Sequence, residues 1–147
     1  MSCLASALRY LTLRDLTEHQ LRTKLEAKQH PPDDIDQVIE RLKADGTLND
    51  QRLAGRRAKA EAERGRKGPH RVRRELEAAG VTASIAKAAV AEAFAEIEPT
   101  DALGALLEKR LRGATRLDES QYRKTYQFLL RRGFDSADIV AALRKVK

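Results

Sequence analysis

The sequence predicts an all-α protein made of three tandem three-helix repeats that form an elongated, curved molecule. Aromatic residues make up only 4% of the 147 residues and tryptophan is absent, so Leu, Ile, Val and Ala must build the core. Cores of this composition are typical of packed helices rather than β-sandwiches. Apolar residues also recur at intervals of three or four, as in Ile35, Val38, Ile39 and Leu42, which indicates helices with one buried face.

The helix-start signals support this fold class. Thr17 and Gln20 have the spacing of a capping box, in which each side chain accepts a hydrogen bond from the other residue's backbone N–H. Asp118 and Gln121 repeat this spacing in the last third of the chain. Related start signals occur at three further places, which are Asn49, Gly68 followed by Pro69, and Asp135.

The helix-end signals recur in the same order. Gly80 and Gly133 each follow a leucine by four residues, as expected for glycines that end a helix in the left-handed conformation. In the first unit Gln29 takes this position, before two prolines. The predicted helices span 3–12, 17–29 and 32–45, then 49–64, 69–79 and 82–95, then 100–114, 118–132 and 135–146. We therefore divide the chain into repeats at 1–47, 48–97 and 98–147, and expect each to bury its apolar face mainly against its neighbours.

Positive charge is concentrated in one segment. The formal net charge is +7, and residues 52–74 contain ten basic and two acidic side chains. Such a segment attracts polyanions, because basic side chains near phosphates release condensed counterions. The alternative is a solvated helix face with pairs such as Arg57 with Glu61. The candidate binding residues, which we call the repeat-two basic segment, are Arg52, Arg56, Arg57, Arg64, Arg66, Lys67, Arg71, Arg73 and Arg74.

A weaker basic region follows in the last third of the chain, where several basic side chains accompany few acidic ones. We call it the repeat-three basic patch, and its members are Lys109, Arg110, Arg131 and Arg132. Tyr122, Tyr126 and Phe128 lie on one predicted helix there. Because Tyr122 is expected to pack at the helix start and Phe128 in the core, we expect no aromatic platform for unpaired bases.

The sequence offers no catalytic or cofactor motif. Its three histidines are far apart, Cys3 is the single cysteine, and no phosphate-binding GxxxxGK[ST] loop occurs. We therefore expect no enzyme activity, no metal and no cofactor. No apolar run approaches the roughly 18 residues of a membrane span, and no export signal is evident. We expect a cytoplasmic monomer that does not contact membranes.

The chain resembles the bacterial RecX regulatory proteins, which modulate the RecA recombinase. The residues that carry this resemblance are Leu16, Thr17, Leu21 and Leu25; Leu48, Asn49, Asp50, Leu53 and Ala54; Arg64, Lys67, Gly68, Arg71, Glu75, Leu76, Gly80 and Val81; and Leu129, Arg131, Arg132, Gly133, Phe134 and Ile139. It covers about residues 4–146. The family commonly has an aromatic where Leu53 stands, which leaves any contact made by that aromatic without a counterpart.

The resemblance implies three tandem three-helix repeats and a regulator without catalysis. It also implies binding to the RecA filament on single-stranded DNA, along the filament's groove, with suppression of ATP hydrolysis and strand exchange. Binding to bare single-stranded DNA should be weak and dependent on salt. The alternative is a stand-alone, sequence-independent nucleic-acid-binding protein, and a third reading, an enzyme with an unrecognised site, would require a well-formed polar pocket.

Overall fold

A computed structural model describes residues 1–114 and 116–146, and within these residues all regular secondary structure is α-helical. The all-α prediction is confirmed, and the predicted helix ends lie within three residues of the observed ones. The helices are α1 (Cys3–Leu13), α2 (Glu18–Ala27), α3 (Pro32–Ala44), α4 (Asp50–Arg64), α5 (Pro69–Ala78), α6 (Ala83–Phe94), α7 (Pro99–Leu111), α8 (Glu119–Arg131) and α9 (Ser136–Arg144).

Each group of three helices has a hydrophobic core of its own. Leu21, Leu25 and Ile39 are fully buried in the first core, which α1, α2 and α3 form. The second core lies among α4, α5 and α6, and the third among α7, α8 and α9. The expectation that each repeat buries its apolar face mainly against its neighbours was therefore wrong. Three helices already enclose the apolar stripes of each repeat.

The second core is built largely from small side chains. Ala54 and Ala58 of α4 and Ala86 of α6 are completely buried, together with Val72 of α5. Small residues let helices approach closely, which explains how this core is filled although none of its fully buried residues is aromatic. Leu53, at the position where an aromatic is common in the family, is also buried at 4% exposure.

The repeats are joined through their middle helices. At each junction, the C-terminal end of one middle helix packs against the N-terminal end of the middle helix of the preceding repeat. Thr17 caps α2 in the predicted capping box with Gln20, and its hydroxyl also donates to the carbonyl of Ala79 at the end of α5. The backbone N–H of Glu18 donates to Asp50 Oδ1 at 2.9 Å. Burial raises the pKa of the Asp50 carboxyl.

The second junction repeats this arrangement without a side-chain cap. The N–H groups of Gly68 and His70, at the start of α5, donate to the carbonyls of Arg132 and Gly133 at the end of α8, at 2.7 and 3.0 Å. Unpaired donors at a helix start and unpaired acceptors at a helix end thus satisfy each other. The opposite ends of two helix dipoles also meet, which is favourable.

Glycine is required at both junctions by close approach as well as by conformation. Gly80 and Gly133 have φ of +101° and +94°, as predicted for left-handed helix ends. A Cβ atom on Gly80 would overlap His19, and one on Gly133 would overlap the backbone of Arg71. Gln29, at the corresponding place in the first repeat, has φ +64° and an exposed side chain, because neither of the other two repeats packs against it within the described part of the chain.

The molecule exposes more surface than a compact protein of its mass. Its accessible surface is 9537 Å², against roughly 7,500 Å² for a compact monomer of 16.5 kDa. Three separate cores connected by narrow junctions explain the excess, and this agrees with the predicted elongated shape. Among the described residues, none of the helices combines the length and the apolar character needed to cross a membrane.

Candidate functional site

The repeat-two basic segment lies on α4, on α5 and on the loop between them. Its first members contact repeat one: Arg56 forms an ion pair with the Asp15 carboxylate, and Arg57 Nη2 donates to the Asp15 carbonyl at 3.3 Å. Arg52 N–H is bound by the Asn49 cap, and its guanidinium donates to the Thr47 carbonyl at 3.4 Å. These arginines therefore help to hold the first junction.

Lys67 lies at the centre of an ion-pair network. Its Nζ is 2.7 Å from Glu61 Oε2 and 2.8 Å from Glu75 Oε2, and Arg64 contacts the other oxygen of Glu61 at 2.8 Å. The hydrogen bond from Lys67 is the main reason why the pKa of Glu61 is lowered, and the same bond raises the pKa of Lys67. This network fixes the loop between α4 and α5.

Two further arginines of the segment are paired along α5. Arg71 Nε is 3.3 Å from Glu75 Oε1, and Arg73 Nε is 3.1 Å from Glu77 Oε1. The sequence count covered only residues 52–74 and therefore left out Asp15, Glu75 and Glu77. With these three carboxylates included, the ten basic side chains of residues 52–74 are accompanied by five acidic ones, and the net charge falls from +8 to +5.

Some members of the segment have no carboxylate within 4.0 Å among the described residues. These are Arg52, Arg57, Arg66 and Arg74. The helical pair expected between Arg57 and Glu61 does not form, because Glu61 contacts Arg64 and Lys67 instead. A cleft of about 380 Å³ lies between α4 and α5, with Arg56, Arg57 and Arg64 among its lining residues.

The repeat-three basic patch has a different environment. The Arg110 guanidinium lies 4.1 Å from the centroid of the Phe128 ring, and the Arg132 guanidinium lies 5.0 Å from it. Lys109 and Arg131 are exposed. In the part of the chain that the structure describes, none of these four cations forms an ion pair.

The two basic surfaces meet at the second junction. Arg132 Nη1 donates to the carbonyl of Arg66 at 3.3 Å, so the patch on α8 continues into the loop of repeat two. Phe128, which the sequence placed in the core, is half-buried, since it packs on the third core while its ring carries two guanidiniums. The spacing of four positions between Phe128 and Arg132 could have predicted their contact on one helix face. The contact between Arg110 and Phe128 depends on tertiary structure and could not.

Two of the three histidines have structural partners. His30 Nε2 lies 3.1 Å from Ser6 Oγ, and His70 Nε2 lies 3.3 Å from Asp135 Oδ1 across the second junction. Burial raises the pKa of the Cys3 thiol, which disfavours the nucleophilic thiolate. Over residues 1–114 and 116–146, no group of three or more His, Cys, Asp or Glu side chains has the arrangement of a metal site.

Comparison with known proteins gives consistent matches over most of the chain. Family models described as the first and the third three-helix domain of RecX match residues 3–42 and 96–143. The Regulatory protein RecX of Trichlorobacter lovleyi is 35% identical over 143 residues, which are 96% of this chain and 92% of that protein. That of Vibrio vulnificus is 32% identical over 97% of this chain and 92% of its own length.

A solved structure supports the fold. The crystal structure of RecX from Lactobacillus salivarius superposes with a TM-score of 0.83 at 22% sequence identity. The superposition covers 98% of this chain and 94% of the other. At this level of identity the similarity establishes the fold, and the two agree on tandem helical repeats.

Proposed function

The chain belongs to the RecX family of regulatory proteins, and from that membership we propose that it is a negative regulator of the RecA recombinase. In this proposal it binds the RecA filament on single-stranded DNA, lies in the filament's groove, and inhibits ATP hydrolysis and strand exchange. It acts in the cytoplasm as a monomer and without catalysis of its own.

The observation that carries the proposal is the continuity of the two basic surfaces across the second junction. The hydrogen bond from Arg132 to the Arg66 carbonyl connects them, and Arg66 and Arg74 are exposed without an ion pair among the described residues. A continuous basic surface raises the local concentration of polyanions and speeds their association. Filaments on DNA present phosphates along their length, so an extended surface suits them better than a single pocket.

The shape of the molecule supports groove binding. Three repeats with separate cores place the basic surfaces along an extended body. An extended body contacts several subunits of a helical filament at once, and such multiple contacts increase the overall affinity. This supports groove binding over a contact with one filament end.

The test is a titration into RecA filaments assembled on single-stranded DNA, with ATP hydrolysis as the readout. We expect the wild-type protein to inhibit hydrolysis, and the double variant Arg66→Glu/Arg74→Glu to need at least about tenfold more protein for the same inhibition. Arg9→Glu/Arg14→Glu, which changes the charge equally at two exposed positions of repeat one, should inhibit like the wild type. No inhibition by the wild-type protein would refute the proposal.

The alternative function, a stand-alone nucleic-acid-binding protein, predicts different affinities for DNA. It requires tight binding to bare single-stranded DNA at physiological salt with no gain in affinity when the recombinase is present. We expect the opposite, namely weak binding to bare DNA with a steep salt dependence and much tighter binding to the filament.

A further inference from the structure

A cluster on repeat three combines two arginines with one aromatic ring. We call Arg110, Phe128 and Arg132 the Phe128 cluster. Both guanidinium carbons lie against the same ring, at 4.1 and 5.0 Å from its centroid, so they are within about 9 Å of each other. Two positive charges this close repel each other, and a bound anion relieves the repulsion.

The charges of the cluster are available to a ligand. Within the described part of the chain, neither Arg110 nor Arg132 has a carboxylate within 4.0 Å. The guanidinium edge of Arg132 makes one hydrogen bond, to the carbonyl of Arg66. By contrast, Arg71 and Arg73 of repeat two must break ion pairs with Glu75 and Glu77 before they can bind a phosphate.

The aromatic ring also reduces the entropic cost of binding. An arginine side chain in solution samples many rotamers, and ordering it costs free energy when a ligand binds. In the Phe128 cluster both guanidinium groups already lie against the ring, so less freedom remains to be lost. Phe128 is itself fixed, because it packs against the third core.

The chemistry of the cluster fits single-stranded nucleic acid. The edge of a guanidinium binds phosphate through paired hydrogen bonds, and its flat face stacks on an unpaired base. A single strand offers both groups in every nucleotide, whereas an acidic protein surface offers only carboxylates. Lys124, one turn before Phe128 on α8, and the neighbouring Arg131 are exposed and extend the positive charge along the same helix.

We infer that the Phe128 cluster is a binding site for single-stranded nucleic acid and contributes more to that affinity than the ion-paired arginines of repeat two. This ranking is the reverse of the one that the sequence count of charges suggests. The inference rests on the proposed function for its setting, since the strand at the centre of a recombinase filament is single-stranded. It assigns the DNA contact within that function to a particular surface.

The test measures the affinity for a fluorescent oligo(dT) strand by anisotropy across a series of salt concentrations, without recombinase. We expect Arg110→Ala/Arg132→Ala to lower the affinity at least about tenfold and to reduce the salt slope by about 1.4, because two phosphate contacts are lost. Phe128→Leu should lower the affinity several-fold at an unchanged salt slope, since both charges remain. Circular dichroism checks that each variant is folded.

Two comparisons make the result decisive. Arg9→Ala/Arg14→Ala, with the same charge change on exposed positions of repeat one, should bind like the wild type, and Arg71→Ala/Arg73→Ala should lose less affinity than Arg110→Ala/Arg132→Ala. The inference is overturned if Arg110→Ala/Arg132→Ala binds the oligonucleotide like the control, or if Arg71→Ala/Arg73→Ala loses more. Because no recombinase is present, this result is independent of whether the protein inhibits RecA.

Discussion

Substitutions at equivalent positions of the first and the third repeat should change the stability of the protein in opposite directions. Gln29, Gly80 and Gly133 each follow the middle helix of their repeat at positive φ. Gly133 lies against the backbone of Arg71 in the preceding repeat, whereas Gln29 faces open solvent. We therefore expect Gly133→Ala to destabilise the protein and Gln29→Gly to stabilise it.

The size of each effect follows from the local geometry. An alanine at the φ of Gly133 costs about 1–2 kcal/mol, and its Cβ would overlap Arg71, so the junction must open. Opening weakens the hydrogen bonds from Gly68 and His70 to the end of α8, each worth about 1 kcal/mol. We expect a total loss of about 2–4 kcal/mol. Gln29→Gly relieves the same conformational strain, but glycine also has more freedom in the unfolded chain, which offsets part of that gain. We expect the free energy of unfolding to rise by about 0.5–1 kcal/mol.

The measurement is urea unfolding followed by circular dichroism. Gly65→Ala is the matched control, because Gly65 also has a positive φ, +69°, but no atom lies within 4 Å of the position of an added Cβ. The difference between Gly133→Ala and Gly65→Ala therefore isolates the contact between repeats. If the two variants lose equal stability, or if Gln29→Gly lowers stability, the account of the junctions is wrong.

Further predictions concern the cores and the ion pairs. Leu129→Ala should lower the free energy of unfolding by about 2–5 kcal/mol. Because the cores are separate, hydrogen exchange should show reduced protection in repeat three and unchanged protection in repeat one. Equal losses of protection in both repeats would contradict this prediction. Lys67 lowers the pKa of Glu61, so Glu61 stabilises the fold above its unfolded pKa, and this contribution is lost as the pH falls through the folded pKa. The difference in unfolding free energy between wild type and Glu61→Gln should therefore be present near neutral pH and vanish in acid. A difference that stays constant over this pH range would show that the ionised Glu61 does not stabilise the fold.

Local signals in the sequence were enough for the helices and their caps. The capping boxes at Thr17 and Asp118 form as predicted, because their residues are only three positions apart. Asp135 begins α9 without a side-chain cap bond, since its carboxylate contacts His70 of the preceding repeat. Local patterns therefore specify where helices begin, and tertiary contacts decide how the polar side chains are used.

The candidate site was less accessible to sequence reasoning. Arg56 and Asp15 are 41 positions apart, so no local window could pair them. The cut at residue 74 also separated Arg71 and Arg73 from the acids one turn further along α5. Apolar stripes likewise look the same whether a face packs within a repeat or against the next one, which is why the separate cores were missed.

The end-to-end contacts of the middle helices also determine how far the molecule reaches. Two small areas of close contact, between Gly80 and the His19 side chain and between Gly133 and Arg71, help to set the angles between the three repeats. A rotation of a few degrees at one contact displaces the far end in proportion to the length of the repeat beyond it. We therefore expect substitutions at these two turns to change the curvature of the whole molecule while leaving every side chain of the two basic surfaces in place.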